Sequence, residues 1–351
     1  MEAVLCIDLG GTKSAASLVT RDGDIRFRTA AKTPGNAAAD DLASFLISLG
    51  KTVLAETSEL PIGIGVSVGG PTDARRGEAW AAPALPGWGN GYPLASVLSD
   101  TFNGITVRLE NDADATALAE HRFGAGQGTQ TMAFLTVGTG IGSGLIVENR
   151  LLRGKTGAGG EIGHVCVDHP GRACVCGMSG CLEAYACGPS IVNVARELGS
   201  AATDGPSAVA LARAGEAAAK QAFDQAGEML GRGLATLSML IEPERFVLGT
   251  LAVHASNLLI PPAEASLRRH SWARNVSGVT IVPAGLGDRA QGAILPLVAL
   301  GDQGVDRAQA VVQPGLGLRD IGGQLFGMGE VVVCVAQVSC PSSIRPSTRA
   351  V

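Results

Sequence analysis

One histidine and three cysteines lie close together near the middle of the chain. His164 belongs to "GEIGHV", and Cys174, Cys176 and Cys181 follow in "CVCGMSGC". One imidazole and three thiolates make a complete tetrahedral zinc set, which is typical of a closed structural site rather than a catalytic one. Buried free thiols or a redox pair are the alternatives. The Cys-x-Cys spacing, with glycines that allow tight turns, favours zinc.

Polar side chains beside this cluster suit a polyol ligand. If one ring nitrogen of His164 binds zinc, the other carries a proton that it can donate to a substrate hydroxyl. Zinc would also fix the loop that carries Glu161 and bring Glu183 to the same place. Both glutamates are good hydrogen-bond acceptors for sugar hydroxyls, although either one could instead be a solvated surface charge.

Two glycine-rich turns could bind phosphate. "DLGGTK" (residues 8–13) contains Asp8, Gly10, Gly11, Thr12 and Lys13, and "VGTGIGSG" (137–144) contains Gly138, Thr139 and Gly140. Consecutive backbone N–H groups without bulky side chains form a cradle for phosphate oxygens. The first turn adds a hydroxyl, a positive charge and a carboxylate that could hold magnesium through water. An ordinary glycine hairpin is the alternative for each turn.

A pair of polar residues, Asn111 and Asp112, ends the predicted strand in "ITVRLEND". A carboxylate there can accept a proton from a substrate hydroxyl as that hydroxyl attacks phosphorus. The neighbouring amide can orient the same hydroxyl. The alternative is structural, with Asp112 or Asp114 capping the helix predicted in "ADATALAEHRFG".

Strands and helices must position these groups. "VLCIDLGG", "SAASLVT", "IRFRT", "PIGIGVSVGG", "RFVLGT" and "VTIVPA" are predicted strands, and residues 206–241 predict one or two long helices. A weak repeat relates residues 7–19 to 135–147, since each is an apolar strand, a glycine turn and another apolar strand. The repeat suggests two related α/β units whose glycine turns face a shared cleft, although chance similarity is the alternative.

Composition excludes several function classes. The 351 residues include 17% charged residues with a net charge of −5, which argues against a nucleic-acid partner. No signal peptide and no uninterrupted apolar membrane segment is recognised, so a cytoplasmic protein without a membrane partner is expected. In that compartment thiols stay reduced. The other cysteines lack metal-ligand spacing and are expected to act as small apolar residues (Cys6, Cys166, Cys187, Cys334 and Cys340).

With these residues in hand, the sequence resembles the ROK family (repressors, open reading frames and sugar kinases) of the actin/hexokinase-type ATPase superfamily. The resemblance runs from about residue 4 to about residue 301. It rests on "IDLGGTK", "ENDADA", "VGTGIGSG", "RGKTGAGGEIGH" and "CVCGMSGCLE", in the family's order.

The resemblance implies two ribonuclease H-like α/β domains flanking an ATP/sugar cleft, with a zinc-bound loop. The expected domains are 1–115, completed by about 288–302, and 116–287, with the zinc loop at 161–183 and an extension of unknown structure at 303–351. Asp112 is implied as the catalytic base. The implied sugar-binding residues are Gly70, Asn111, Asp112, Glu161, His164 and Glu183, and Gly249 joins the two glycine turns in ATP binding.

The resulting expectation is an ATP-dependent and magnesium-dependent kinase of the hexose 6-hydroxyl, with glucose as the first candidate. Ala84 stands in "PALPGW", where the family often has asparagine, so N-acetylglucosamine or N-acetylmannosamine is the alternative substrate. The strand at "LGTLA" keeps only Gly249 of the family's glycine triplet, which leaves a non-catalytic sugar sensor as the rival. No helix-turn-helix is expected before the first turn, and the resemblance makes a homodimer plausible.

Overall fold

The computed structural model describes residues 3–20, 25–82 and 85–286. Within these ranges the chain forms twelve strands and nine α-helices, so the predicted mixed α/β fold is confirmed. The strands are β1 (Ala3–Leu9), β2 (Lys13–Thr20), β3 (Ile25–Lys32), β4 (Gly63–Val68), β5 (Thr72–Asp73), β6 (Glu78–Ala79), β7 (Val107–Asn111), β8 (Met132–Val137), β9 (Ile141–Val147), β10 (Arg150–Leu151), β11 (Arg245–Thr250) and β12 (Thr280–Pro283). The helices are α1 (Ala39–Ala55), α2 (Leu94–Thr101), α3 (Asp112–Phe123), α4 (Glu183–Ala186), α5 (Gly188–Glu197), α6 (Gly205–Arg213), α7 (Ala217–Ile241), α8 (Leu251–His254) and α9 (Ser256–His270).

The first sheet has the strand order β3-β2-β1-β4-β7. β1 and β2 form an antiparallel hairpin with Leu9 opposite Ser14, whereas β4 and β7 join in parallel. Every residue of β4 is buried, as expected for a central strand of a parallel arrangement. α1 packs against β1 and β2, and α2 packs against β7. The hairpin predicted between β2 and β3 is present, although its turn lies outside the described residues.

The second sheet repeats this topology in the order β10-β9-β8-β11-β12. Its first two long strands, β8 and β9, are again an antiparallel hairpin, and β11 and β12 again add in parallel. The weak sequence repeat, 7–19 and 135–147, falls on the two corresponding hairpins. The repeated sequence pattern therefore reflects a repeated arrangement of strands.

Helix α3 joins the two sheets. It packs against β7 of the first sheet and against β8 and β9 of the second. The contact is close because both surfaces carry small residues: an added Cβ on Gly142 would lie 3.2 Å from the Cβ of Ala113, and one on Gly144 would lie 2.5 Å from the Cβ of Ala117. The residue that begins this helix, Asp112, is consequently held between the two halves of the molecule.

The region predicted to hold one or two long helices forms two, α6 and α7. They are separated by a turn at Gly215, whose φ of 98° is in the region that favours glycine. α6 begins with a capping box, in which Asp204 accepts from the backbone N–H of Ser207 and the Ser207 hydroxyl bonds the backbone of Asp204. Among the described residues, no helix is long and apolar enough to cross a membrane.

Three predicted features lie outside the described residues. They are Ala84, the segment at about 288–302 expected to complete the first domain, and the extension at 303–351.

The 25-residue helix α7 packs along α9 through glycines. A Cβ added to Gly231 would overlap the carbonyl oxygen of Ala263 and the Cβ of Ser266, and one added to Gly227 would overlap Pro262. Side chains at these two positions would push the helices apart, so backbone contact fixes the spacing of this pair.

We predict that Gly231→Ala destabilises the protein by about 1–3 kcal/mol, because overpacking outweighs the roughly 1 kcal/mol by which alanine is the better helix former. Urea unfolding measures the change. Gly35→Ala is the control, since no atom lies within 4 Å of a Cβ added there. A Gly231→Ala protein as stable as the wild type would contradict the close helix packing.

Candidate active site

The first glycine turn joins β1 to β2. A Cβ on Gly10 would lie 2.8 Å from the carbonyl oxygen of Lys13, so the turn requires glycine. Thr33 anchors it: the Thr33 hydroxyl donates to the Gly10 carbonyl at 2.6 Å, and the Thr33 N–H donates to the Thr12 carbonyl at 3.0 Å. Gly11, Thr12 and Lys13 are exposed. A turn held through its carbonyl oxygens in this way suits an anion-binding role for its N–H groups.

The second glycine turn joins β8 to β9. The N–H of Gly138 donates to the Gly140 carbonyl at 2.9 Å, and the Gly138 carbonyl accepts from the N–H of Gly188 at 2.8 Å. Glu183 accepts from the N–H of Ile141 at 2.8 Å through Oε2 and lies so close to Gly140 that a Cβ there would overlap it. One carboxylate oxygen of Glu183 therefore holds this turn, and the hydroxyl of Thr139 is exposed at its tip.

Asn111, not Asp112 or Asp114, caps helix α3, so the capping alternative considered from the sequence was wrong. The Asn111 side-chain oxygen accepts from the N–H groups of Ala113 at 2.9 Å and Asp114 at 3.2 Å. Its amide nitrogen donates to the Gly70 carbonyl at 2.9 Å. The cap thus leaves Asp112 to face the space between the sheets.

The carboxyl group of Asp112 is accessible from the open cleft, yet protein atoms surround it on its other sides. This burial, together with the like charges of Asp8 and Glu161, raises the pKa of Asp112 to about 6, although the hydrogen bond from the N–H of Ala113 opposes the shift. A carboxylate with this pKa is ionised near neutral pH and still binds protons readily.

Asp8, the last polar residue of β1, lies beside Asp112. Burial raises the pKa of Asp8, while a hydrogen bond from Ser67 and the positive charge of Arg28 act in the opposite direction. Ser67 is the residue of β4 paired with Asp8 in the sheet. The carboxyl groups of Asp8 and Asp112 form an acidic end of the cleft, and the guanidinium of Arg28 lies nearby.

A buried ion pair lies behind Asp112. Glu110 of β7 is 2.8 Å from Arg153, which follows β10 in the other half of the molecule. Asp114 is buried beside this pair, and among the described residues its Oδ1 has no hydrogen-bond partner. Burial raises the pKa of Asp114 well above its usual range, and the charge of Glu110 adds to this effect. Burial and the neighbouring carboxylate therefore both favour the protonated form of Asp114.

A cavity of about 760 Å³ opens between the two sheets. Its first wall includes Asp8, Gly10, Lys13 and Asp112, and its second wall includes Gly249. This volume is in the range of small-molecule sites. The structure therefore brings together the predicted base, the predicted magnesium ligand and residues of both halves assigned to ATP from the sequence.

Sequence reasoning missed seven polar residues that line this cavity: Arg28, Ser67, Thr116, Glu120, Thr136, Thr250 and His254. Ser67 carried a usable signal, because it is a polar residue inside an otherwise apolar strand, "GIGVSV". Arg28 could be found only from the packing of β3, since nothing in its local sequence marks it. Thr250 follows Gly249 at the point where the family's glycine triplet was expected.

The predicted zinc ligands converge. One donor atom from each of His164, Cys174, Cys176 and Cys181 lies within 4.8 Å of the other three. The Sγ atoms of Cys176 and Cys181 are 3.7 Å apart, and Nδ1 of His164 is 3.8 Å from the Sγ of Cys174. Tetrahedral Zn–S bonds of about 2.3 Å place two sulfurs about 3.8 Å apart, so the donor set has the dimensions of a zinc site.

The remaining cysteines divide into two groups. Cys6 and Cys187 are buried, which confirms their expected apolar role. Cys166 is exposed, with its Sγ 3.2 Å from the Asp168 carbonyl, so the same expectation was wrong for it. Cys334 and Cys340 lie outside the described residues.

The loop between β10 and the cysteine cluster approaches β9. The Ser143 hydroxyl donates to the Gly160 carbonyl, and a Cβ on Gly163 would overlap the Ile141 carbonyl. This close approach holds Glu161 near enough to Asp112 for its charge to affect the pKa of Asp112. Because Nδ1 of His164 points to the cluster, its Nε2 is left for another partner.

Comparisons with known proteins agree with this arrangement. The chain matches the model of the ROK family over residues 4–295. A glucokinase from Streptomyces coelicolor is 30% identical over 310 residues, which cover 83% of this chain and 95% of that protein. An N-acetylmannosamine kinase from Shigella flexneri is 36% identical over 239 residues, 68% of this chain and 77% of that kinase. A xylose repressor from Caldicellulosiruptor bescii is 28% identical over 304 residues, 82% of this chain and 75% of the repressor.

Solved structures of ROK kinases are also similar to this chain. A ROK hexokinase from Thermus thermophilus has a TM-score of 0.68 at 35% identity, covering 84% of this chain and 97% of its own. A ROK glucokinase from Streptomyces griseus, solved in complex with glucose and AMPPNP, has a TM-score of 0.70 at 30% identity, covering 83% and 98%. The described residues therefore adopt the actin/hexokinase-type fold of these proteins.

We predict that Asn111→Ala destabilises the protein by about 1–2 kcal/mol, because two helix N–H groups lose their acceptor and the Gly70 carbonyl loses its donor. Asn111→Ser, which retains a capping oxygen, is expected to lose less. Urea unfolding of the three proteins measures the order of stability. Equal stability of the alanine variant and the wild type would contradict the capping role.

Proposed function

Because the chain belongs to the ROK family, we propose that it is an ATP-dependent sugar kinase that phosphorylates the 6-hydroxyl of a hexose, with glucose as the first candidate. The observation that carries the proposal is Asp112. It is a carboxylate with a pKa of about 6, and it lines the cavity between the two sheets together with Gly10 and Lys13 of the first glycine turn. The glucokinase relatives support a sugar kinase as the class of enzyme.

Asp112 is the proposed general base. It accepts the proton of the 6-hydroxyl while that oxygen attacks the γ-phosphorus of ATP and the bond to the β-phosphate oxygen breaks. A base with a pKa near the working pH is ionised and can still take up the proton. Asn111, fixed by its bonds to α3 and Gly70, holds the neighbouring backbone rigid.

The two glycine turns are proposed to bind the ATP phosphates. In the first turn, Thr12 offers a hydroxyl and Lys13 a positive charge, and Thr139 offers a hydroxyl in the second. Asp8 fits a magnesium site, because it presents carboxylate oxygens at the acidic end of the cavity. Magnesium bound there would neutralise charge on the transferring phosphate.

The sugar is proposed to bind beside the cysteine cluster. His164 would donate from Nε2, Glu161 would accept from hydroxyls, and Oε1 of Glu183 remains available because Oε2 holds the second turn. Gly70 and Asn111 form the opposite side, linked by their hydrogen bond. Closure of the two halves on both substrates would exclude water, which otherwise competes as the acceptor of phosphate.

Zinc is the proposed occupant of the cysteine cluster. The sulfur spacing supports this, and the imidazole completes the four ligands. A zinc ion there has a structural role, since four protein ligands leave no open position for substrate. It would fix the His164 ring, and through it the donor to the sugar.

Two other functions have supporting observations. The N-acetylmannosamine kinase relative supports an N-acetylated amino sugar as the alternative substrate. The xylose repressor relative supports a non-catalytic sugar sensor, which would bind a sugar without turnover. A cavity lined by Asp112, by Gly10 and Lys13 of the first glycine turn and by Gly249 favours the kinase.

We predict that Asp112→Asn folds normally and lowers kcat by about 10²–10⁴-fold, because the amide cannot accept the proton. In the wild type, kcat/KM should fall about tenfold per pH unit below a midpoint near pH 6, since only the deprotonated carboxylate acts as a base.

Steady-state rates from pH 5 to 8 measure the profile, and circular dichroism checks folding. Asp224→Asn, on an exposed face of α7, is the control and should behave as the wild type. Near-normal kcat in the Asp112 variant would show that another group is the base.

We also predict about one zinc per purified chain, measured by elemental analysis. Cys176→Ser should lose zinc, melt at a lower temperature and bind sugar roughly tenfold more weakly or worse. Cys166→Ser, in the same loop but outside the four-ligand set, is the matched control and should retain zinc. An active wild-type protein without metal would exclude the zinc proposal.

A further inference from the structure

Thr250 has an unusual backbone conformation at the end of β11. Its φ is 57° and its ψ is −122°, a combination that glycine adopts readily and that costs free energy for a residue with a Cβ. Six non-glycine residues among those described have positive φ, and three of them are asparagines, which tolerate such values (Asn36, Asn103, Glu148, Asn149, Glu242 and Thr250). Thr250 is the β-branched member of this group, for which the strain is largest.

The Thr250 side chain faces the cavity. The residue is exposed and lines the 760 Å³ space on the wall opposite Lys13 and Asp112. Its hydroxyl lies 3.3 Å from the hydroxyl of Thr136, which lines the same wall. A Cβ on Gly138 would lie 3.5 Å from the Thr250 hydroxyl and 3.8 Å from that of Thr136, so both hydroxyls lie next to the second glycine turn.

Contacts with the other described residues do not account for a threonine at this position. The Thr250 hydroxyl donates to the carbonyl of the preceding residue, Gly249, at 2.8 Å. Such a local bond is available to serine and threonine in many unstrained conformations. Glycine would satisfy the backbone without the strain. Strained residues that line a cleft commonly bind ligands, because the ligand contact repays the strain.

We propose that Thr250 is a phosphate-donor-binding residue, whose hydroxyl acts with that of Thr136 on the phosphate chain of ATP beside the second glycine turn. The inference rests on the proposed kinase function. It deepens that function by assigning a further residue to the binding of ATP, the phosphate donor. When the nucleotide binds, the Thr250 hydroxyl would exchange its bond to the Gly249 carbonyl for one to a phosphate oxygen. Two neutral hydroxyls would then donate to phosphate without adding charge to a cavity that already contains Lys13 and Arg28. A glycine at position 250 has no hydroxyl and could not make this hydrogen bond to phosphate.

Calorimetric binding of Mg-ADP tests the proposal without any sugar. Thr250→Gly should raise the melting temperature of the ligand-free protein by a few degrees, because the strain is relieved, and should weaken Mg-ADP binding about 5–10-fold. Thr250→Ser should bind Mg-ADP within about twofold of the wild type, since it retains the hydroxyl. Thr136→Val should weaken binding to a similar extent as Thr250→Gly.

Glu242→Gly is the matched control. Glu242 also has positive φ, at 46°, but it lies at the end of α7 and does not line this cavity. The Glu242→Gly variant should have a higher melting temperature than the wild type and should bind Mg-ADP as the wild type does. In turnover assays, Thr250→Gly should raise KM for ATP with little change in kcat or in KM for the sugar.

The outcomes separate this inference from the proposed function. Mg-ADP binding that is unchanged or tighter in Thr250→Gly would overturn the role of Thr250, and so would a wild type that binds neither Mg-ADP nor Mg-ATP. A wild type that binds Mg-ADP through Thr250 but phosphorylates no sugar would leave Thr250 as a nucleotide-binding residue and refute the kinase.

Discussion

The junction between β7 and α3 constrains every other part of the site. Asn111 caps the helix and bonds the Gly70 carbonyl, so the strand end, the helix start and the neighbouring loop form one rigid unit. The same helix packs on strands of both sheets. Asp112, its first residue, is therefore held between the two halves. If this junction moved, Asp112 would leave its position in the cavity between the two sheets.

The repeated hairpin explains why the two glycine turns occupy equivalent positions in the two sheets. Each sheet begins with an antiparallel hairpin joined by glycines and continues with parallel strands whose ends lie at the same edge. Glycine is required in the first turn by the Lys13 carbonyl and in the second by Glu183. Because Glu183 also follows the cysteine cluster closely, its hydrogen bond to Ile141 links the cysteine loop to the second turn. A metal ion at the four proposed ligands would therefore stabilise both the proposed sugar site and the second glycine turn.

Much of this arrangement could be predicted from the sequence, because short-range patterns determine it. Apolar runs that end in glycine identified the strands, and Cys-x-Cys spacing identified the cluster. The helix cap could not be chosen, since Asn111, Asp112 and Asp114 all have capping side chains and only the backbone geometry distinguishes them. The contact of Ser67 with Asp8 depends on strand register between distant segments.

Other features depend on conformation that composition does not encode. Cys166 resembles the buried cysteines in type, but its exposure follows from the path of its loop. The positive φ of Thr250 conflicts with its residue type, and its sign in the sequence is its place where the family's glycine triplet was expected. Such conflicts between residue type and local structure concentrate at functional sites.

The most direct test of the account is ADP release from Mg-ATP with glucose, mannose, fructose, N-acetylglucosamine and N-acetylmannosamine. The account predicts saturable, sugar-dependent ADP release with at least one of these hexoses, highest with glucose, and a 6-phosphate as the product. Sugar binding detected by calorimetry, with no ADP release for any of the five, would contradict the kinase and favour the sugar sensor.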